Sequence, residues 1–366
     1  MSRFYDRIVS QVRTLTPYQP GKPIDELQRE LGLARISKLA SNENPLGCSP
    51  KVVAAIEQAL PNLARYPDGN AYYFKQKLAA HLGVQPGQIL PGNGSNEVLE
   101  LVVRTFAGPG DEVIYDQYAF AVYPLSTRAA GATGVAVPAK DYAHDLSAMA
   151  DAITARTKVI FLANPNNPTG TLFDTATFEQ FMQRVPEQVI VVLDEAYYEY
   201  VQVADYPDGL DYLSRYPNLL VSRTFSKVYG LAGVRLGYLV GDAEIIDYLN
   251  RVREPFNVNT LAQVAGMAAL DDKDFVAESV ELNRDNMAWF TAALSTLKLA
   301  YIPSSGNFVT VHTGADTARI NQSLLQQGVI VRPLTGYGMA EWLRISIGTR
   351  DELEHCVDAL QEACRV

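Results

Sequence analysis

The sequence is poor in cysteine, histidine and net positive charge, and each shortage excludes a class of protein. Its 366 residues include 3 cysteines and 4 histidines. The cysteines form no Cys-x-x-Cys pair and the histidines form no His-x-x-x-His pair, so neither a disulfide framework nor a metal site is predicted. The net charge is −10, which is the wrong sign for binding a nucleic-acid backbone or an anionic membrane surface.

Long apolar runs are also missing. No stretch approaches the roughly 18 consecutive apolar residues of a membrane span. Near the N-terminus, charged residues such as Arg3, Asp6 and Arg7 interrupt the apolar ones, which is unlike a signal peptide. We therefore expect a soluble protein of the cytoplasm. With 48% hydrophobic and 20% charged residues, the composition is globular, and the length predicts about two domains.

Short apolar runs that end in polar residues alternate with amphipathic segments through the middle of the chain. The runs are residues 88–91, 112–115, 158–163, 188–193, 218–222 and 235–240. This alternation predicts an α/β fold around a mostly parallel, doubly wound sheet. After residue 242 the pattern changes to a long helix over 274–297 and to short strands at 308–311, 329–332 and 342–347. The last third is therefore expected to form a smaller α+β domain.

Ligands of doubly wound sheets bind beyond the carboxyl ends of the strands, and five such ends carry polar groups, at residues 92–97, 116–118, 164–170, 194–197 and 224–227. Residues 92–97 (Gly-Asn-Gly-Ser-Asn-Glu) lead from a strand into a helix, where backbone amides suit an anion. Asp194 ends an apolar strand, which is a costly position for an unpaired charge unless the side chain caps the next helix. Lys227 follows another strand, and a lysine acts as a nucleophile toward a carbonyl only in a confined site.

Three motifs together resemble one family. They are residues 165–170 (Pro-Asn-Asn-Pro-Thr-Gly), residues 194–197 (Asp-Glu-Ala-Tyr) and Ser226-Lys227 with Arg235 downstream. In order and spacing they resemble the class II, fold type I pyridoxal-phosphate aminotransferases over essentially the whole chain. Within these, the chain is most similar to the histidinol-phosphate aminotransferases at residues 15–18, 39–47, 65–67 and 342–349. We accordingly expect an arm of residues 1–45 that joins the small domain, a large cofactor domain of residues 46–250 and a small domain of residues 251–366.

The resemblance implies pyridoxal 5'-phosphate as cofactor and gives roles to the residues around its ring. Lys227 would bind the cofactor aldehyde and then move a proton between the substrate Cα and the cofactor C4′. Asp194 would keep the pyridine nitrogen protonated. Asn167 and Tyr197 would donate to the phenolic oxygen, and Tyr118 would stack on the ring. Lys227, Asp194 and Tyr197 are therefore the predicted catalytic residues.

The resemblance also implies a phosphate site and a homodimer. The residues expected around the cofactor phosphate are Ser95, Asn96, Thr224, Ser226 and Arg235. Tyr66 resembles a tyrosine that reaches this phosphate from the neighbouring subunit. Phe256 stands where some relatives carry a phosphate-binding tyrosine, so that hydroxyl contact is absent here.

Substrate binding is expected at arginines near the C-terminus. In residues 341–347 apolar and polar residues alternate, which places Arg344 on the face opposite Leu343 and Ile345. The resemblance implies that Arg344 binds the carboxylate of glutamate or the phosphate of histidinol phosphate, because its planar fork suits both. Arg332, Tyr18 and Asn42 would assist in binding the substrate.

The motifs leave the function open among four alternatives, three of them enzymes. The leading one transfers an amino group from glutamate to imidazole acetol phosphate, which gives 2-oxoglutarate and histidinol phosphate. An aromatic amino-acid aminotransferase would use the same residues, and so would a decarboxylase of a phosphorylated amino acid. A regulator that senses a ligand without catalysis is disfavoured, because no DNA-binding module is present and both Lys227 and Asp194 are.

Overall fold

The structure is a computed structural model that describes residues 4–13, 15 and 21–364. Its α-helices are α1 (Ile24–Leu31), α2 (Pro50–Ala59), α3 (Tyr72–Leu82), α4 (Ser95–Phe106), α5 (Val122–Ala129), α6 (Leu146–Asp151), α7 (Thr175–Met182), α8 (Ala243–Val252), α9 (Thr260–Leu270), α10 (Lys273–Thr296), α11 (Thr317–Gln326) and α12 (Arg350–Ala363). Its strands are β1 (Ser37–Lys38), β2 (Ile89–Asn93), β3 (Glu112–Asp116), β4 (Thr133–Val137), β5 (Thr157–Ala163), β6 (Ile190–Asp194), β7 (Leu219–Thr224), β8 (Leu236–Val240), β9 (Tyr301–Ile302), β10 (Phe308–His312), β11 (Val329–Ile330), β12 (Arg332–Leu334) and β13 (Met339–Ser346). In this part of the chain no helix is both long and apolar enough to span a membrane.

Seven strands form the large sheet, in the order β2-β8-β7-β6-β5-β3-β4. Strand β8 runs antiparallel to both neighbours, and the other pairs are parallel. Along β5, Val159 and Phe161 join one apolar cluster, whereas Ile160 and Leu162 join another. Because successive side chains of a strand point to opposite faces, both faces of the sheet are covered. The predicted α/β fold with a doubly wound, mostly parallel sheet is confirmed.

Strand β4 is missing from the predicted strands. It forms the edge of the large sheet and pairs only with β3. Most of its residues are exposed, and only Val137 is buried. An edge strand of this kind carries little of the apolar signal on which the other strand predictions depend.

A second sheet of four antiparallel strands, in the order β12-β13-β10-β9, contains the C-terminal strands. Helices α10, α11 and α12 pack against it through a cluster that includes Phe290, Leu324, Leu343 and Leu360. The single strand predicted over 329–332 is wrong in detail. Its first part, β11, pairs in parallel with β1 of the N-terminal segment, while β12 begins at Arg332 and pairs with β13.

Helix α9 packs beside the large sheet rather than the small one. Its apolar side chains share a cluster with Phe74 of α3 and Leu236 of β8. The approach is close, since a Cβ added at Gly266 would lie 2.5 Å from Leu236 and 2.6 Å from Phe74. The domain boundary at residue 250 stays a prediction, and α9 lies beyond it in sequence.

Candidate active site

A cavity of about 240 Å³ opens at the carboxyl ends of the large-sheet strands. It is closed on one side by residues 41–43, which follow β1, and by Arg332 and Arg344 of the small sheet. The predicted site residues that line it are Asn42, Ser95, Asn96, Asn167, Asp194, Tyr197, Thr224, Ser226, Lys227, Arg235, Arg332 and Arg344. The fold therefore brings most of the predicted site into one place.

Lys227 lies in the turn that follows β7, with its amine inside the cavity. Its Nζ donates to the carbonyl oxygen of Ser41 at 3.3 Å and lies 5.7 Å from the centre of the Tyr197 ring. Burial, with the nearby charges of Arg344 and Arg235, lowers the pKa of Lys227 to about 8. At pH 7 roughly one amine in ten is then neutral, against about three in ten thousand at the ordinary pKa. Lys227 has the free amine that attack on a carbonyl requires.

Asp194 is the last residue of β6 and is buried. Its Oδ2 accepts a hydrogen bond from the Tyr123 hydroxyl at 2.6 Å. Its Oδ1 has no hydrogen-bond partner among the described residues. Burial raises the pKa of Asp194 to about 6, although the Tyr123 hydrogen bond and the Lys227 charge oppose the rise. A buried carboxylate oxygen without a partner is costly, and the N–H of a protonated pyridine ring is a partner of the required kind.

A set of close backbone approaches shapes the end of the cavity at the N-terminus of α4. Gly94, with φ of +80°, precedes Ser95 at the N-terminus of α4, and a Cβ added there would lie 2.4 Å from Arg235 Nη2. A Cβ at Gly237 would lie 2.4 Å from the Ser95 nitrogen. Glycine thus allows the helix N-terminus and a guanidinium to approach each other, which suits an anion such as a phosphate.

Hydroxyl groups complete this end of the cavity. Thr224 Oγ1 accepts from the Ser226 backbone N–H at 3.1 Å. Arg235 donates to the carbonyl oxygen of Ala232 at 3.1 Å, which fixes the guanidinium beside Ser226. Together with the lysine amine and the orphaned Asp194 oxygen, these donors fit pyridoxal phosphate, the cofactor that the sequence resemblance implies.

Arg344 and Arg332 lie opposite each other on neighbouring strands. They are register partners in the antiparallel pair β12 and β13. Arg344 is buried, and it donates to the Ala40 carbonyl oxygen at 2.7 Å and to Asn167 Oδ1 at 2.5 Å. Because a guanidinium can only donate, Asn167 presents its oxygen to Arg344 and keeps its amide group for another acceptor.

Asn42 links the N-terminal segment to both sheets. Its Nδ2 donates to the Tyr197 hydroxyl at 2.9 Å, and its backbone N–H donates to Ser346 Oγ at 2.8 Å. Its backbone has φ of +53°, a conformation that asparagine tolerates better than most residues. Burial raises the pKa of Tyr197 to about 12, so the hydroxyl keeps its proton and can donate.

Among the described residues, two of the predicted ones, Tyr118 and Tyr66, do not line the cavity. The ring of Tyr118 stacks on Tyr142 at 5.9 Å, away from the site, and Phe120 lines the cavity instead. Tyr66 is 82% exposed and stacks on Phe256 at 4.7 Å. Tyr18 lies outside the described residues. After β3 it is therefore Phe120, not Tyr118, whose ring lies where it could stack on a cofactor in the cavity.

Tyr123 and Glu43 are two of the cavity residues that carry no role in the sequence prediction. Tyr123 is three positions after Phe120, a spacing that places both on one side of a helical turn. That spacing is the signal that could have found Tyr123, which is bonded to Asp194. Glu43 lies beside the predicted Asn42 and also lines the cavity.

The comparisons with known proteins find aminotransferases. Residues 34–360 match the family model for aminotransferase class I and II. Histidinol-phosphate aminotransferase 2 of Hydrogenovibrio crunogenus is 58% identical over 99% of this chain and 97% of its own. Histidinol-phosphate aminotransferase 2 of Pseudomonas aeruginosa is 53% identical over 98% of each chain. The crystal structure of the Sinorhizobium meliloti histidinol-phosphate aminotransferase in complex with pyridoxal-5'-phosphate superposes with a TM-score of 0.89, at 30% identity over 98% of each chain.

Proposed function

The chain belongs to the class I and II aminotransferase family, and we propose that it transfers an amino group from glutamate to imidazole acetol phosphate. The products are histidinol phosphate and 2-oxoglutarate, in histidine biosynthesis. Pyridoxal 5'-phosphate is the cofactor. One observation carries the proposal: a lysine of lowered pKa, an orphaned buried carboxylate oxygen and two adjacent arginines face one cavity. The identity with histidinol-phosphate aminotransferases supports the choice of substrate.

Lys227 performs the proton transfers. The bound cofactor supplies an aldehyde and an electron-withdrawing pyridine ring. Lys227 would hold the cofactor through Nζ. With the substrate in place, the same Nζ would move the proton between the substrate Cα and the cofactor C4′. Its lowered pKa suits both steps, because the same amine must accept a proton and release it near neutral pH.

Asp194 holds the pyridine nitrogen in its protonated form. Its Oδ1, which has no partner among the described residues, would accept the ring N–H, while Tyr123 donates to Oδ2 and fixes the orientation of the carboxylate. A pair of unit charges about 4 Å apart, at an effective dielectric constant of about 20, interacts by roughly 4 kcal/mol. That energy corresponds to about three pKa units, which keeps the ring nitrogen charged at neutral pH.

Arg344 and Arg332 bind the anionic end of either substrate, with Tyr18 assisting. A planar guanidinium donates two parallel hydrogen bonds to a carboxylate or to a phosphate, so one pair of arginines serves both substrates. Asn167 and Tyr197 donate to the phenolic oxygen of the cofactor, and Phe120 supplies the stacking ring. The buried contacts of Arg344 with Ala40 and Asn167 fix its guanidinium before the substrate arrives.

A cytoplasmic homodimer is part of the proposal. Tyr66 is largely exposed beside the exposed ring of Phe256, which is the position expected of a side chain that serves the cofactor phosphate of the neighbouring subunit. Mixed dimers of Lys227→Ala and Tyr66→Phe chains test this role. If Tyr66 acts across the interface, one site of each mixed dimer has both wild-type residues, and wild-type cofactor affinity returns at that site. If it acts within its own chain, no site recovers.

The substrate assignment is tested by steady-state assays of amino transfer to 2-oxoglutarate. Histidinol phosphate and phenylalanine serve as alternative amino donors, and glutamate formation is measured for each. We expect kcat/KM for histidinol phosphate to exceed that for phenylalanine. The reverse order would identify an aromatic amino-acid aminotransferase. Release of carbon dioxide from a phosphorylated amino acid, without glutamate formation, would identify a decarboxylase.

A further inference from the structure

Glu43 is an acidic residue in a cavity otherwise rich in positive charge. Among the described residues that line the cavity, the carboxylates are Glu43 and Asp194. Asp194 lies buried at the cofactor end, whereas Glu43 follows Asn42 at the more exposed end. The Glu43 charge acts on the reacting amine, because it opposes the lowering of the Lys227 pKa. An acidic group in the same cavity as the reacting amine requires an explanation.

Lys38 is the ion-pair partner of Glu43. Its Nζ lies 2.9 Å from Glu43 Oε1, and the two side chains are 24% and 44% exposed. Lys38 is in β1 and is the register partner of Ile330, two residues before Arg332. Glu43 lines the cavity and Lys38 does not, so the ion pair brings the Lys38 amine next to the cavity, on the strand that pairs with β11. An exposed ion pair of this kind contributes little to stability, so its position is not explained by folding.

The two substrates of the proposed function make opposite demands on this end of the cavity. Each has one anionic group for Arg344 and Arg332. Beyond it, histidinol phosphate carries an imidazole ring, whose N–H groups donate hydrogen bonds. Glutamate carries a second carboxylate, which only accepts them. A carboxylate beside the site favours the ring and repels the second carboxylate, unless a cation offsets its charge.

We propose that Glu43 is a specificity residue that accepts a hydrogen bond from the imidazole ring, and that Lys38 offsets its charge when glutamate binds. This inference rests on the proposed function. Glu43 acts when the hydrogen-bond-donating imidazole ring is bound, and Lys38 acts when the second carboxylate of glutamate is bound. Neither side chain takes part in the proton transfers of Lys227.

The variants Glu43→Gln and Lys38→Gln test the proposal in the holoenzyme, with KM measured for each half-reaction. Glu43→Gln removes the charge at constant size. We expect its KM for histidinol phosphate to rise at least about tenfold, as for loss of a charge-assisted hydrogen bond, and its KM for glutamate to fall. Lys38→Gln leaves the carboxylate without its cation, so we expect the KM for glutamate to rise and that for histidinol phosphate to fall.

A substrate analogue sharpens the test. The phenyl counterpart of histidinol phosphate keeps the phosphate and the amine but has no ring N–H. Wild-type enzyme should prefer the imidazole compound, and Glu43→Gln should lose most of that preference. If the ion pair has only a structural role, the KM values for both substrates should change in the same direction in both variants. That outcome overturns the inference. So does a Glu43→Gln enzyme with an unchanged KM for histidinol phosphate.

The wild-type control separates the two levels of the argument. A wild-type enzyme that fails to convert histidinol phosphate overturns the proposed function itself, before any variant is compared. A wild-type enzyme that converts it, together with variants that do not show the opposite shifts, overturns only the role of Glu43 and Lys38.

Discussion

The cofactor half and the substrate half of the cavity are built from different parts of the chain. The cofactor half consists of Ser95, Asn96, Asp194, Thr224, Ser226, Lys227 and Arg235. These residues end or follow strands of a single sheet, except Arg235, which immediately precedes β8 of the same sheet. The substrate half consists of Asn42, Glu43, Arg332 and Arg344. It joins a short N-terminal segment to a second sheet, through contacts such as that of Arg344 with Ala40.

The difference separates chemistry from substrate choice. A rigid sheet fixes the groups that handle the proton and the ring nitrogen, and these groups serve any amino donor. The substrate half is assembled from three segments and contains the charges that distinguish one donor from another. Variants in the cofactor half should therefore affect all donors alike, whereas variants in the substrate half should leave the bound cofactor unchanged.

Lys227→Ala should have the largest effect. Without the amine no covalent link to the cofactor forms, and no group moves the proton from Cα to C4′. We expect loss of the visible absorbance of the lysine-bound cofactor and a decrease in turnover of at least about 10⁴-fold with every donor. Lys140→Ala, at an exposed lysine away from the cavity, is the matched control. Turnover or the absorbance band surviving in Lys227→Ala would contradict the assignment.

Asp194→Asn should be the next most severe change for activity. The amide cannot hold the ring nitrogen in its protonated form, because the charge pair that raises the pKa of that nitrogen by about three units is lost. We therefore expect the rate to decrease roughly 10²- to 10³-fold. The cofactor should still bind. Single-turnover rates with two different donors are the measurement, and near-normal rates would remove Asp194 from its role.

The same substitution should stabilise the cofactor-free protein at neutral pH. Burial raises the folded-state pKa of Asp194 from 3.8 to about 6, so the folded protein holds a proton that the unfolded chain has released between these values. Stability therefore falls as the pH rises from about 4 to about 6, by up to about 3 kcal/mol. The free energy of unfolding, measured with denaturant on the cofactor-free proteins, should be higher for Asp194→Asn than for wild type above pH 6. The difference should vanish near pH 4.

Arg344→Lys should lower activity without disturbing the cofactor. Lysine keeps the charge but loses the planar fork that binds a carboxylate or a phosphate. We expect kcat/KM for both glutamate and histidinol phosphate to fall about 10- to 100-fold, with an unchanged absorbance spectrum. A loss confined to glutamate would show that the phosphate is bound elsewhere. A changed spectrum would break the separation between the two halves.

Tyr123→Phe should have the smallest effect. It removes the hydroxyl bonded to Asp194 but keeps the ring that stacks on Phe161 at 4.4 Å. Because this hydrogen bond lowers the Asp194 pKa, its loss should move the acid limb of the pH–rate profile to higher pH. A neutral-pH rate within about tenfold of wild type is expected. An acid limb that stays in place would show that Tyr123 does not influence Asp194.

The two halves also differ in how far the sequence predicts them. The cofactor half follows from strand ends, because each motif comes directly after an apolar run. The sequence resemblance gives the stacking ring to Tyr118, whereas Phe120 lines the cavity, and the choice between them depends on the backbone path after β3. Glu43 was missed because its place in the cavity depends on the pairing of β1 with β11, nearly 300 residues away. That long-range contact leaves no local signal in the sequence.

A single-turnover experiment tests the central claim most directly. The purified holoenzyme is mixed with histidinol phosphate and, separately, with phenylalanine, and the conversion of the lysine-bound cofactor to its amine form is followed by absorbance. The account predicts fast conversion with histidinol phosphate and slow conversion with phenylalanine. Faster conversion with phenylalanine, or no conversion with either donor, would contradict it.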